Sequence, residues 1–500
     1  MDPQTPVVVG VAQITSRPSD DPATWTEPCT MMARALEQAA GDAAGTAGGR
    51  SGIVDRLDEL TAIPSFVWKV PDPALAAARE AGVVPRRTRL AFDGGTTPQS
   101  VLFDAAVRIQ RGELEAVGIV GAEAMRSREL ARRQGVEVEW RQQAEGTGAA
   151  EVVEAVPDAS SDHERSLRLF VPVRAYALME HARRRAMGLT REEHRHQLGA
   201  LQERLGRVAA SNDLAALRTA PTAAEIVTVT PRNRMVASPY TKLLTSNNKV
   251  DQAAAVLVCS YRAARAAGVP EDRMVFPRRG AKAREQWRLS ERRELGQSIA
   301  MRAIAAQLFT AGSPGVDDLA YLDLYSCFPV AVEMAGDALD FDLWGDERPP
   351  TVTGGLTFFG GPGNDYVTHS IATMIARLRS DPGSVGLVTA LGWYASTHSW
   401  ATYSTSPPSG GVEYVDVQEV VDEVPLRIAD EAYVGAGVVE SYSVHYGRDG
   451  DPTGAVVAVR TPAGSRRLVG VADPAAAGQL DEVDPLDARV EVRENGLTLG

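Results

Sequence analysis

Apolar residues fall at positions 101, 102, 105, 106 and 109 of the segment PQSVLFDAAVRIQR, and at 367, 371, 374, 375 and 378 of YVTHSIATMIARLR. Steps of three and four put each set on one face and predict two amphipathic helices. A Val-Gly-Ile/Leu-Val run follows each helix, in GELEAVGIVGAEAMRS (112–127) and DPGSVGLVTALGWYAS (381–396), and predicts a buried strand ending in small residues. A glycine loop precedes each helix: FDGGTTPQS at 92–100 and FFGGPGNDY at 358–366. With Val117 aligned on Val385, loop, helix and strand recur in one order, which implies a duplicated α/β unit.

Both loops then stand at helix N-termini, where free backbone N–H groups and the helix dipole favour an oxyanion or phosphate. Glycine lets a ligand approach the backbone with no Cβ in the way.

The remaining pattern fills out the two halves. PVVVGVAQ, DELTAIPS and TRLAFD predict strands around the helix EPCTMMARALEQAA, and LGQSIAMRAIAAQLFTAG, VDDLAYLDLYS and CFPVAVEMAGDAL predict helix, strand and helix. Alternation of this kind predicts a mainly parallel sheet covered on both faces. Residues 126–240 are helical and charged, have no place in the repeat and predict an inserted lobe. From PPSGGVEY onward, VVESYSVHY, GAVVAVRT, RRLVGVA and ARVEVRE predict a small all-β domain, with a turn at GRDGDPTG. The predicted domains are 1–125 plus 241–270, the insertion 126–240, the second half 271–407 and the tail 408–500.

Length agrees with several units, since 500 residues exceed what one core usually supports. A net charge of −13 opposes a phosphate backbone and excludes nucleic acid as an expected partner. Arginines cluster in HARRRAMG (Arg183, Arg184, Arg185) and in PRRGAKAREQWRLSERRE, runs that usually mark solvated helix faces. The three cysteines, at 29, 259 and 327, form no metal-like spacing, so no metal is expected and a reducing cytoplasm fits best. No basic leader or long apolar stretch opens the chain, so neither a signal nor a membrane span is expected.

The order of elements, the paired glycine loops, VGIVGAEAMRS, NNKVDQAAAVLVCSYRAARAAGV (247–269) and LDLYSCFPVAVE (322–333) resemble the thiolase superfamily. The nearest resemblance is to the sterol-carrier-protein thiolases and the type 1 thiolase-like proteins with an added C-terminal domain. It implies a five-layer αβαβα fold and a ligand of the acyl-CoA class, bound as substrate without a covalent cofactor. It also implies acyltransferase ancestry, and it leaves monomer and homodimer both open.

The resemblance also marks positions. The family's nucleophilic cysteine falls near Gly95, flanked by Gly94 and Thr96, in a loop without cysteine. Its Gly-His-Pro loop reads Gly360-Gly361-Pro362, its late acid/base cysteine reads Ala390 ahead of Gly392, and its His-Asp-Cys-Phe motif reads Tyr325-Ser326-Cys327-Phe328. Ordinary thiolysis is therefore not expected. The threonines of the first loop are expected to cap their helix, as are Asn364 and Asp365 on the second.

Tyr325 is either a proton carrier, as the matching tyrosine is in steroid side-chain lyases of the superfamily, or a buried ring at a strand end. Cys327 is a small buried hydrophobe of the pocket or a displaced nucleophile. His369 and His398 could each replace the missing imidazole or be hydrogen-bonded structure, and the other five histidines stand in polar, exposed segments. Arg183 and Arg184 lie in the lobe that covers coenzyme A in thiolases, so they either meet its phosphates or form a solvated face. Three functions stay open: carbon–carbon cleavage or formation without an acyl-cysteine, non-catalytic thioester or lipid binding, and partnership with another acyl-CoA enzyme.

Overall fold

The structure is a computed structural model that describes residues 1–45, 49–153, 158–310, 314–494 and 496–499. The expected end of a helix at Ala311 and Gly312, part of the insertion at 154–157 and the tail's last residue, Gly500, lie outside the described residues.

Each helix of the repeat forms where its pattern places it, Thr97–Gln110 and Tyr366–Ser380. Each lies between two sheets. The first sheet runs, in spatial order, Pro6–Ser16, Asp251–Ser260, Ala116–Ala124, Glu59–Ala62, Arg87–Ala91 and Glu151–Val153. The second runs Glu413–Asp416, Phe276–Arg284, Thr397–Ser404, Val385–Gly392 and Tyr321–Asp323. Four strands match between them: Pro6–Ser16 corresponds to Phe276–Arg284, and Ala116–Ala124 to Val385–Gly392, with their flanking strands in step. Helices Pro28–Ala44 and Pro73–Glu80 cover the outer face of the first sheet, and Ile299–Leu308, with Pro329–Leu339 packed against it, covers that of the second. Helix, sheet, helix pair, sheet and helix make the five layers.

The sheets are mixed rather than mainly parallel. Asp251–Ser260 runs antiparallel to both neighbours, and Thr397–Ser404 does the same in the second half. Neither strand is reached by a βαβ crossover, which would impose a parallel direction. Asp251–Ser260 returns from the insertion, and Thr397–Ser404 follows its neighbour through a tight turn. The basic segment read as a solvated helix face also folds differently, because Phe276–Arg284 is an interior strand.

Local signals set the helix starts. Asp72 accepts from the N–H of Leu75 ahead of Pro73, and Thr190 with Glu193 forms a reciprocal cap before the helix Arg191–Ala210 of the insertion. The tail contributes Glu413–Asp416 to the second sheet and then builds its own sheet from Gly435–Tyr446, Pro452–Arg460, Arg466–Val471, Arg489–Arg493 and Gly496–Leu499. A helix absent from the pattern reading, Pro474–Val483, packs on that sheet. The insertion is tied to it as well: Met235–Ala237 pairs with Gly435–Tyr446, and helix Pro172–Ala186 lies across it.

Candidate functional site

The two glycine loops meet. The N–H of Gly94 donates to Asn364 Oδ1 at 3.1 Å, while Asn364 Nδ2 donates to Asp93 Oδ1 at 3.0 Å and to the Pro64 carbonyl at 3.1 Å. Asn364 therefore stitches the loops together instead of capping its own helix. Thr97 likewise turns back, donating to the carbonyls of Phe92 and Gly94 at 2.9 and 2.6 Å. These bonds use the side chains to fix loop shape and leave the Gly95 N–H without a partner among the described residues.

A cavity of about 510 Å³ opens over this junction, walled by Gly94, Gly95, Gly361, Gly363, Asn364 and Asp93 on the loop side. Tyr325, Cys327, Phe328 and Leu391 form its floor in the second half, and Phe170–Val173, Tyr176 and Val236 of the insertion close the other side. The mouth is aromatic, with Phe66, Phe170 and Trp393 exposed by 49%, 47% and 37%. Apolar walls with a few fixed polar groups are the usual lining of a small-molecule site.

Gly95 is where the loop comes closest to the floor. A Cβ there would lie 2.4 Å from the Leu391 carbonyl oxygen and 2.7 Å from the Tyr325 hydroxyl. Tyr325 is held by its own N–H on Thr389 Oγ1 at 2.8 Å and by an edge-on contact with Tyr366, with ring centroids 5.5 Å apart. Beneath it, buried Asp323 accepts from Tyr366, Ser370, Thr351 and the Val352 amide. Burial, and then the neighbouring Cys327, push the Tyr325 phenol well above its usual range, so it stays protonated and can donate. Burial pushes the Cys327 thiol up to about 12, which leaves it a poor nucleophile.

The turn after Leu391 shapes the mouth. Trp393 and Ala395 both adopt left-handed backbone, φ 57° and 54°, a cost of roughly 1–3 kcal/mol each for residues with a Cβ. Tyr176 clasps this turn, since its hydroxyl donates to the Trp393 carbonyl at 3.0 Å and accepts from the Ala395 N–H at 2.9 Å. Trp393 Nε1 then reaches the Asp93 carbonyl at 3.1 Å, joining lid, second half and first loop in one chain of bonds.

Of the residues marked from sequence, Gly94, Gly95, Gly361, Tyr325 and Cys327 line the cavity. Thr96, Gly360 and Gly392 stand behind it. Thr96 and Thr397 share a hydroxyl contact at 3.2 Å, Gly360 has φ 124° against Gln252, and Gly392 leaves room for the Gly95 nitrogen. His369 is not at the cavity. Its Nδ1 faces Gln13 Oε1 at 3.0 Å, and burial lowers its pKa to about 3, so it is a neutral core side chain. His398 is equally enclosed, with Nε2 3.0 Å from the Ala395 carbonyl.

Both arginines are committed to carboxylates. Arg183 is buried and bonds Glu333 at 2.8 Å and Asp337, while Arg184 bonds Asp484 of the tail domain. Three histidines read as exposed are buried: His181, His194 and His445. His194 Nε2 lies 2.9 Å from Glu180 Oε1, and with Glu333 these two form a tight buried group. Tyr240 donates to Glu180 at 2.7 Å, and Arg183 already supplies a cation to Glu333. Asp93, Tyr176 and Trp393 were missed from sequence, because their roles arise from pairings between segments far apart in the chain.

A model described as the additional C-terminal domain of thiolase-like protein type 1 matches residues 416–497. Among solved structures, a monomeric SCP2-thiolase-like protein type 1 from Mycobacterium smegmatis shares 30% identity over 100% of this chain and 99% of its own, with a TM-score of 0.82. The fold is also shared with the Ltp2–ChsH2(DUF35) aldolase, at 17% identity over 81% of this chain and 98% of that one, TM-score 0.58. The dimeric peroxisomal thiolase of Saccharomyces cerevisiae gives 13% identity over 81% and 98%, TM-score 0.54. No curated protein matches the sequence.

The doubled α/β core, with both glycine loops on one cavity, is that of a thiolase-like protein. With its tail domain, the chain belongs to the SCP2-thiolase-like proteins of type 1. No described helix is long and apolar enough to cross a membrane.

Proposed function

We propose that the cavity binds an acyl thioester of the coenzyme A class and holds its carbonyl at the glycine-loop junction without forming an acyl-enzyme. The observation that carries this reading is the meeting of Gly95 and Tyr325. The position that would bear a nucleophile has no room for a side chain, and a protonated phenol stands there instead. The Gly95 amide and the Tyr325 hydroxyl are the donors suited to a thioester oxygen. Thiolysis is excluded from this reading because Cys327, the one cysteine on the cavity wall, stays protonated.

A second reading, carbon–carbon cleavage of a hydroxyacyl thioester, draws on the same pair. Cleavage moves the bonding electrons onto the α-carbon to give an enolate, and a protonated Tyr325 beside the Gly95 amide is suited to return a proton to that carbon. Asp93 on the cavity wall is the carboxylate placed to take the hydroxyl proton. A fold relative is described as an aldolase, which makes the class reasonable to test.

One experiment separates the two. The full chain is titrated with acyl-CoA and hydroxyacyl-CoA esters by calorimetry, with products followed by mass spectrometry, beside Tyr325→Phe. Binding without products supports the first reading, and turnover lost in Tyr325→Phe supports the second. The absence of any binding by the panel rejects both.

A further inference from the structure

Three glycines of the cavity wall leave their side-chain space to a polar atom from another segment. A Cβ on Gly95 would lie 2.7 Å from the Tyr325 hydroxyl, one on Gly361 2.2 Å from Ser246 Oγ, and one on Gly363 2.6 Å from Glu123 Oε1. Tyr325 and Ser246 line the cavity, whereas Glu123 lies behind the wall. Glu123 is 1% exposed, on the interior strand Ala116–Ala124 of the first sheet. A carboxyl buried there is costly unless its oxygens are bonded.

Its bonds run to the cavity mouth. Glu123 Oε1 accepts from the N–H of Phe66, and Oε2 accepts from the Ser65 hydroxyl at 3.0 Å. Ser65 Oγ in turn accepts from the N–H groups of Val67 and Trp68 at 3.3 and 3.2 Å, so one carboxyl ties residues 65–68 together. Gly363 fits between this carboxyl and the Phe66 ring, since its Cβ would also lie 3.1 Å from Phe66 Cδ2. These donors fit one protonation state. A proton on Oε1 would meet the Phe66 N–H, and one on Oε2 would have to donate to Ser65 Oγ, whose lone pairs already face two amides. The carboxylate keeps every bond, and the neutral acid does not. The other groups around Glu123 are Gln252 directly across the sheet, exposed Lys69 beyond Phe66 and buried Asp365 beside the second loop. Burial favours the neutral acid, while the bonds from Phe66 and Ser65 and the charge of Lys69 favour the carboxylate, and the balance falls at about 7.

We propose that Glu123 is a positioning residue of the cavity: its carboxylate orders residues 65–68, holds the Phe66 ring against Gly363 at the mouth, and so sets the affinity for the ligand that enters there. Phe66 is 49% exposed, so its backbone bond does much of what packing does for a buried ring. Protonation of Glu123 costs one of the two contacts, and the mouth loosens as pH falls through neutrality. The effect on ligand affinity rests on the thioester reading above, whereas the ordering of the mouth does not.

The test has two arms, both on the full chain. In the first, the protein is isotope-labelled at phenylalanine, and the Phe66 amide signal, assigned with Phe66→Leu, is followed by NMR from about pH 5.5 to about pH 8.5. A sigmoidal shift with a midpoint near neutrality is expected. It should be absent in Glu123→Gln and should move upward by about half to one pH unit in Ser65→Ala, which deprives the carboxylate of one donor. A Phe66 signal that does not titrate, or that titrates equally in Glu123→Gln, overturns the proposal. In the second arm, calorimetry measures octanoyl-pantetheine, which carries no titrating group, at about pH 6 and about pH 8. Binding should be about threefold to tenfold tighter at the higher pH in the wild type and equal at both in Glu123→Gln. A titrating Phe66 amide with flat wild-type affinity overturns the positioning role and leaves the thioester reading standing. Binding at neither pH rejects the thioester reading, and the ordering of the mouth then stands or falls on the amide signal.

Discussion

The hydroxyl of Tyr325 stands 2.7 Å from where a Cβ on Gly95 would lie, and the Leu391 carbonyl stands 2.4 Å from the same point. Two separate groups thus fill the space a side chain at 95 would need, and one of them is backbone. Gly95→Cys should destabilise the chain by about 1–3 kcal/mol, since overpacking forces the loop to shift. It should also fail to gain an acetyl adduct from acetyl-CoA in intact-mass measurements. Shortening the phenol in Gly95→Cys/Tyr325→Ala should not restore the lost stability in urea unfolding, because Leu391 O remains. Full recovery in that double variant would show that Tyr325 alone sets the spacing.

Tyr176 holds the turn that carries Trp393 through one hydroxyl used twice. Tyr176→Phe keeps the ring and its stack on Phe328, with centroids 4.5 Å apart, but leaves a carbonyl and an N–H unpaired at two left-handed residues. A loss of about 1–3 kcal/mol is expected. Affinity for cavity ligands should fall along with it, because Trp393 loses its hold at the mouth. An unchanged urea midpoint and affinity would mean the turn keeps its shape without the clasp.

The repeat was legible in the sequence because its signals are local. Helix period, strand composition and glycine loops each occupy a few consecutive residues, and their order alone aligned Val117 with Val385. What the pattern missed depends on partners far away in the chain. The basic face of Arg183 and Arg184 carries no sign of Glu333 or Asp484, and nothing around Tyr176 announces a bond to residue 393. Strand direction was misread for a similar reason, since Asp251–Ser260 enters from a long insertion whose length sets no handedness. His369 sits one turn after a glycine loop, yet its helix face, and not its distance along the chain from the loop, turns it toward Gln13 and away from the cavity.

Buried Glu123 accepts from Ser65 and the Phe66 amide behind the second loop, and burial raises its pKa from the usual carboxylate range to about 7. A carboxyl raised in the folded state binds a proton more readily there than in the unfolded chain. Its contribution is therefore fully present below the unfolded value of about 4.3 and is lost as pH rises to about 7, on the order of 3 kcal/mol in all. Glu123→Gln removes this titration. Urea unfolding at several pH values should show the wild type losing more stability than the variant between about pH 4.5 and 7, and parallel curves would reject the shift.

Arg183 provides the sharpest contrast between a structural and a ligand-binding arginine. It is 3% exposed and neutralises Glu333 and Asp337, joining the insertion to helix Pro329–Leu339. Arg183→Met removes the partner of Glu333 and Asp337, and breaking a buried pair from one side costs about 3–5 kcal/mol at pH values where Glu333 is ionised. Burial and Glu180 push Glu333 up to about 8 even with the guanidinium beside it, and losing the guanidinium should raise it further. The variant should therefore lose more stability than the wild type as pH rises above about 8, where the wild-type carboxylate keeps its guanidinium partner. Its affinity for octanoyl-CoA relative to octanoyl-pantetheine should match that of the wild type, since the phosphates meet no group that Arg183 controls. A stable variant that selectively loses the CoA ester would instead place Arg183 among the ligand contacts.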